Sequence, residues 1–241
     1  MIELNKIFNE DCLVTMKSMK NDFVDYTLTS PPYNVGGNGL YGEGKKYDGF
    51  NDKLNEEEYL QNQIQVIEEA LRVTKMHVIY NIQMLSANKR SVLKLFGYFA
   101  DRIKEIIIWN KRHGTPAMEP GVFNAAFEYF IILSNDQPNK RKFYDTTFRG
   151  NQQNVFEIKN KHSNPFAKEH KAIMPTDLPR YFMQLMGKEN DIWYDPYTGT
   201  GTTCVAAILE KKRWIGSEIN PNYIKVANHR IEPFIRQTKL F

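Results

Sequence analysis

The chain has 241 residues, 41% of them hydrophobic, with 32 Lys and Arg against 28 Asp and Glu for a formal charge of +4; this is enough apolar material for a sizeable core, in one large domain or two small ones. No apolar run is long enough to span a bilayer, the opening Met1-Ile2-Glu3-Leu4-Asn5-Lys6 does not read as a signal peptide, and Cys12 and Cys204 belong to no CxxC or zinc-spaced cluster. A membrane span and a metal centre are therefore not expected, and a cytoplasmic protein with free thiols in a reducing compartment is.

Short apolar segments alternate with helical ones along the chain. Asp25–Thr29 reads as a buried strand stopped by Pro31 and Pro32. Glu56–Val73 has helical spacing at Tyr59, Leu60, Ile64, Ile67, Ala70 and Leu71, with an acidic start that suits the helix dipole. His77–Ile82 reads as a strand, Ser86–Phe96 as a helix with Gly97 near its end, and Ile103–Trp109 and Glu128–Leu133 as strands. Asp136–His170 has little periodicity and reads as a loop or insertion. Leu178–Met186 predicts a helix, Asp191–Asp195 a strand, Gly199–Gly201 a turn, Thr202–Lys211 a helix, Trp214–Glu218 a strand and Asn222–Glu232 a helix. The alternation predicts an α/β fold with a mostly parallel sheet covered by helices on both faces.

Charge is uneven. Gln137–Lys171 carries eight basic residues (Lys140, Arg141, Lys142, Arg149, Lys159, Lys161, Lys168 and Lys171) against Asp145, Glu157 and Glu169, a local +5 that leaves the remainder near −1. Such a stretch suits a polyanion, although a solvated linker reads the same way.

Asp195-Pro196-Tyr197-Thr198-Gly199-Thr200-Gly201-Thr202-Thr203 joins a strand to a helix, and Glu218 follows Asp195 by 23 positions at the end of the next strand. In doubly wound sheets ligands bind at the carboxyl ends of strands, glycines let the backbone approach them, and an acid on the next strand accepts from ribose hydroxyls. GxxxxGK(S/T) is absent, so this is a nucleoside turn without a phosphate loop. "DPYTGTGTT" followed by "IGSEINPNY" resembles the S-adenosylmethionine motifs of the DNA amino-methyltransferases, with Tyr197 where that family usually has Phe. Thr29-Ser30-Pro31-Pro32-Tyr33 is similar to the same family's catalytic (D/N/S)PPY motif.

The chemistry of that motif is open to physical argument. An exocyclic base amine is a poor nucleophile because its lone pair is delocalised into the ring. Ser30 Oγ and the Pro31 carbonyl can accept its two N–H groups and pull the nitrogen towards tetrahedral geometry, and the prolines hold that carbonyl in place. Tyr33 can stack on a base flipped from a duplex. The acceptors are the cationic counterpart of an oxyanion hole.

The resemblance implies a single Rossmann-like methyltransferase domain over 1–241, with a seven-stranded sheet and S-adenosylmethionine as cofactor. The catalytic motif precedes the cofactor motifs, as in the family's beta group. Catalytic residues would be Ser30, Pro31, Pro32 and Tyr33. The cofactor site would comprise Asp11, His170, Asp195, Pro196, Tyr197, Gly199, Gly201, Thr202, Thr203 and Glu218. Asp11 reads equally as an N-cap for a helix over Leu13–Met19, and His170, in "HKAIMP", as a capping or core histidine. Ile106–Lys111 and Phe127–Phe130 resemble the strands flanking the target-base pocket, although Trp109 reads first as a core aromatic. Residues 137–170 would form a short target-recognition region in which Lys140, Arg141, Lys142, Arg149, Lys159 and Lys161 meet phosphates of double-stranded DNA and Asn151–Asn154 read bases. Its shortness leaves open a homodimer, a partner protein or recognition of a few base pairs; a cognate restriction enzyme is a further partner. Val35–Phe50 is expected to be a mobile loop closing over the flipped base. Ser30 leans towards cytosine N4 and Asn34 towards adenine N6. Methylation of RNA or of protein glutamine, and a non-catalytic DNA-binding subunit, are the competing readings.

Overall fold

The computed structural model describes residues 2–34, 53–115, 120–136, 140–143, 146, 148, 150–158 and 174–238. In chain order these form β1 (Lys6–Phe8), α1 (Cys12–Lys17), β2 (Val24–Thr29), α2 (Glu56–Val73), β3 (Thr74–Ile82), α3 (Lys89–Tyr98), β4 (Ile103–Thr115), β5 (Ala125–Leu133), β6 (Val155–Glu157), α4 (Asp177–Met186), β7 (Ile192–Asp195), α5 (Thr202–Leu209), β8 (Arg213–Ser217) and α6 (Pro221–Thr238).

The strands build one sheet in the order β1-β8-β7-β2-β3-β5-β4-β6. Every neighbouring pair is parallel except those of β5, which runs antiparallel to both β3 and β4. The α/β, doubly wound reading holds, with eight strands among the described residues rather than seven. Two of them are three-residue edge strands, β1 and β6, too short for a period-2 pattern to register. β6 lies within 137–170 and pairs with β4.

Period-2 alternation explains the two cores. Val78, Tyr80, Ile82, Ile131, Leu133, Tyr194 and Ile215 face one side, where α1, α2 and α3 add Met16, Ile67, Leu71 and Leu95. Ile79, Phe130, Ile132, Trp193 and Trp214 face the other, against Phe182, Met183, Val205, Ala227 and Ile231 of α4, α5 and α6. Trp193 is fully buried and stacked on Tyr26 with ring centroids 4.5 Å apart; burying a large apolar side chain contributes about 2–3 kcal/mol.

α2 starts where Asn55 accepts from Glu58 N at 2.9 Å, beside three acidic first-turn residues. Gly97 lies inside α3, which ends at the Phe99 cap. α6 continues through Pro233, because Phe234 and Ile235 beyond it pack on the second core.

From β7 the chain winds through α5 to β8; from β2 it winds the other way through α2 to β3. The order reverses between β7 and β2, so the strand ends at Asp195 and Thr29 flank a topological switch point, where α/β sheets bind ligands.

Candidate active site

The two motifs, far apart in sequence, meet at that switch point. Thr29 Oγ1 donates to Asp195 Oδ1 at 2.9 Å. Asp195 is 3% exposed and also accepts from Tyr197 N (3.0 Å) and Thr203 Oγ1 (2.6 Å). Burial pushes its carboxyl up to about 6 against these bonds. Asp195 and Thr203, expected to touch cofactor, thus tie the cofactor turn to the end of β2.

The turn closes on β8. Thr198 N donates to Ser217 O, and Thr198 Oγ1 donates to Asp195 O, both at 3.0 Å. The Thr198 side chain fills the space a Cβ on Gly216 would need. Gly201 has φ 81°, and a Cβ there would lie 3.0 Å from Ala227 Cβ of α6, so both conformation and packing require glycine. Pro196 is buried, as are Thr200 and Thr202. Arg230 of α6 donates to Thr200 O at 2.6 Å and to Thr202 Oγ1 at 3.3 Å, pinning the turn from behind.

Glu218 stands at the open side of this turn. Its Oε2 accepts from Gly199 N at 2.9 Å and its Oε1 from Asn220 N at 2.8 Å. Burial raises its pKa, with backbone N–H bonds, those of Asn220 and Gly199 foremost, working against that rise. Asn9 donates to the carbonyls of Glu218 and Ile219, each at 3.0 Å, which gives a structural reason for an asparagine there. Asp11 is exposed and caps α1, accepting from Leu13 N at 2.8 Å. The neighbouring Cys12 thiol is pushed up to about 12, by burial and then by the Asp11 charge, with hydrogen bonding to the Tyr197 side chain working against the rise.

The Ser30-Pro31-Pro32-Tyr33 turn is held from α2 and α3. Tyr59 OH donates to Pro32 O at 3.2 Å, and Asn88 Nδ2 donates to Tyr33 O at 2.9 Å. Among the described residues nothing donates to the Pro31 carbonyl. Asn34, at φ 57°, pairs with Leu54 in both directions: Nδ2 to Leu54 O at 3.0 Å, and Oδ1 from Leu54 N at 2.7 Å. It therefore clasps the two ends of the segment between them.

Tyr33 is 7% exposed, so little of its ring face is open to a base. Its hydroxyl instead meets Ser30 Oγ (3.1 Å), Asn81 Oδ1 (3.0 Å) and Glu128 Oε2 (2.9 Å). Lys111 Nζ donates to Glu128 Oε1 at 3.1 Å. Asn81 is a candidate site residue that sequence reasoning missed, and the sequence reads Glu128 and Lys111 only as parts of two flanking strands. Trp109 is buried and donates from Nε1 to Ile158 O at 2.7 Å, a core role.

Lys140, Arg141 and Lys142 are exposed, and Arg141 reaches β4 to pair with Glu105 at 2.5 Å. Phe143 anchors the same segment, edge-on to His77 with ring centroids 5.1 Å apart. Arg149, Lys159, Lys161, His170 and the expected loop at Val35–Phe50 lie outside the described residues. No helix among the described residues is long and apolar enough to cross a membrane.

Against known proteins, the family described as DNA methylase, covering N6 and N4 enzymes, matches residues 24–229. The chain belongs to the DNA methylase family. This methylase is 25% identical to the type II methyltransferase M.HinfI of Haemophilus influenzae over 256 residues, covering 95% of this chain and 68% of that one. It is 24% identical to the DNA adenine methyltransferase YhdJ of Escherichia coli over 260 residues, covering 95% and 83%. Among solved structures, the cytosine-N4-specific PvuII DNA methyltransferase superposes with a TM-score of 0.73 at 16% identity, covering 93% of this chain and 85% of that one. TTHA0409 of Thermus thermophilus, described as a DNA modification methylase complexed with S-adenosyl-L-methionine, gives 0.65 at 18% identity, covering 95% and 93%.

Proposed function

We propose that this methylase uses S-adenosylmethionine to methylate the exocyclic amine of a base flipped out of double-stranded DNA, at a specific site, with cytosine N4 as the target. The observation that carries this reading is the Thr29–Asp195 bond, which sets an acceptor pair for an amine beside a nucleoside turn.

The residues present fit the cofactor. Each Glu218 oxygen accepts one backbone N–H, which leaves a lone pair apiece for two vicinal ribose hydroxyls. Gly199 and Gly201, both at positive φ, bring the backbone close, and half-buried Tyr197 offers an aromatic wall. The bound cofactor supplies an electrophilic methyl group on a sulfonium. Ser30 and the Pro31 carbonyl supply acceptors where positive charge develops on the amine nitrogen. Lys140 suits phosphate contacts, whereas Arg141 already answers Glu105.

Ser30, in the position where adenine enzymes of this resemblance carry Asp, supports cytosine. Asn34, which had pulled towards adenine, has a local structural duty in clasping Leu54. Nucleoside mass spectrometry on DNA incubated with the protein and cofactor tests the choice. N4-methylcytosine is the expected product; N6-methyladenine would move the target to adenine, the second reading.

A further inference from the structure

The cluster behind Ser30 has a direction. The Tyr33 hydroxyl has one proton and two outward acceptors, Asn81 Oδ1 at 3.0 Å and Glu128 Oε2 at 2.9 Å. Asn81 Nδ2 is committed to Tyr129 O at 3.1 Å, which fixes its oxygen as the acceptor towards Tyr33. A carboxylate out-competes a neutral amide for a shared proton, so the Tyr33 proton lies chiefly towards Glu128. Tyr33 Oη is then left as the acceptor for Ser30 Oγ–H at 3.1 Å. With its own proton turned inward, Ser30 Oγ presents lone pairs outward, as an amine N–H requires. Lys111 anchors the far end: it pairs with Glu128 at 3.1 Å, both side chains being largely buried at 9% and 12% exposure.

We propose that Ser30, Tyr33 and Glu128 form a proton relay, in which Tyr33 and Glu128 are positioning residues that act on the target amine through Ser30. This rests on the amine-methylation reading given above. As the N–C bond forms and the C–S electron pair stays on the cofactor's sulfur, the nitrogen becomes cationic and must lose a proton. That proton passes to Ser30 Oγ, the Ser30 proton to Tyr33 Oη and the Tyr33 proton to the Glu128 carboxylate. One sulfonium charge and one carboxylate charge vanish together, and the products are a neutral methylamine, a neutral thioether and a neutral Glu128, which returns its proton to solvent between turnovers. Tyr33 here works through its hydroxyl, in keeping with its buried ring. Among the described residues, the titratable and charged groups bonded to Glu128 are Lys111 from β4 and Tyr33 from the turn after β2.

The test uses Tyr33→Phe, Glu128→Gln and the double variant in the full chain, each first shown to bind S-adenosylmethionine by calorimetry with unchanged affinity. Single-turnover methyl transfer to DNA should fall on the order of 10²-fold in each single variant, with little change in the KM for DNA. The double variant should fall no further, because the groups act as one unit. In cofactor-free chain, urea denaturation of the same variants should be non-additive for the Tyr33–Glu128 pair. A wild-type rate in both single variants, or multiplicative losses in the double, would overturn the relay while leaving the function intact. A wild-type chain that transfers no methyl to DNA would overturn both.

Discussion

Asp195 carries a pH signature that can be worked through in number. Its carboxyl ionises at about 6 in the fold against an ordinary 3.8, and burial is the main cause. Below pH 3.8 both states hold the proton and the group makes no difference. Between 3.8 and about 6 only the folded chain holds it, so its contribution to stability falls as pH rises. Above about 6 the folded state carries the full penalty, on the order of 3 kcal/mol at 1.36 kcal/mol per pH unit. Asp195→Asn removes that dependence with little loss of bonding. The amide oxygen can still accept from Thr29 Oγ1 and Tyr197 N, and its NH2 can donate to Thr203 Oγ1, now the acceptor. His77 must be separated from this effect. Its imidazole is pushed down to about 4 from 6.5, by burial and then by the Lys104 charge, so it loses stability as pH falls through the same window. The raw wild-type curve is therefore flattened, and the informative quantity is the difference between variant and wild type. Urea unfolding from pH 4 to pH 7.5 should show the stability of Asp195→Asn rising relative to wild type by about 2.5 kcal/mol across that range. Parallel curves would refute the reasoning, because they would mean that Asp195 is not carried as a buried, desolvated carboxylate.

Other consequences follow from single contacts. Gly201→Ala forces a non-glycine residue to φ 81° with its Cβ 3.0 Å from Ala227 Cβ; a loss of about 2 kcal/mol in chemical denaturation is expected. Glu218→Gln trades an acceptor-only carboxylate for an amide and should weaken S-adenosylmethionine binding by about tenfold or more in calorimetry, with the fold intact by circular dichroism. Asn34→Gly tolerates the positive φ and removes only the clasp, so the Leu54 amide, which donates to Asn34 Oδ1 at 2.7 Å, should exchange with solvent on the order of tenfold faster. Its exchange staying at the wild-type rate would show that the clasp contributes nothing.

Legibility in the sequence followed distance along the chain. α2 has the bounds its periodicity predicts, Glu56–Val73, because eighteen residues of amphipathic spacing leave one reading. The glycine turn and the Pro-Pro-Tyr stretch were legible because each depends on residues within a few positions. β1 and β6 were not, since three residues carry no period and their pairing is set by β8 and β4. α6 passes Pro233 because tertiary packing of Phe234 and Ile235 outweighs the local break. The site's tie-points were hidden for the same reason. Thr29 and Asp195 are separated by 166 positions, Tyr33 and Glu128 by 95, and no local pattern encodes such pairs. Tyr33 itself was legible as a site residue; the partners of its hydroxyl, Ser30 and Glu128, were not.

The central claim is that Ser30 and the Pro31 carbonyl address an exocyclic nitrogen. Duplex DNA methylated by the protein with cofactor carrying a 13C-labelled methyl group, digested to nucleosides and examined by proton–carbon NMR correlation, locates the new bond directly. The account predicts a methyl attached to an exocyclic nitrogen, at N4 of cytosine. A methyl on a ring carbon, or none on any base, would contradict it.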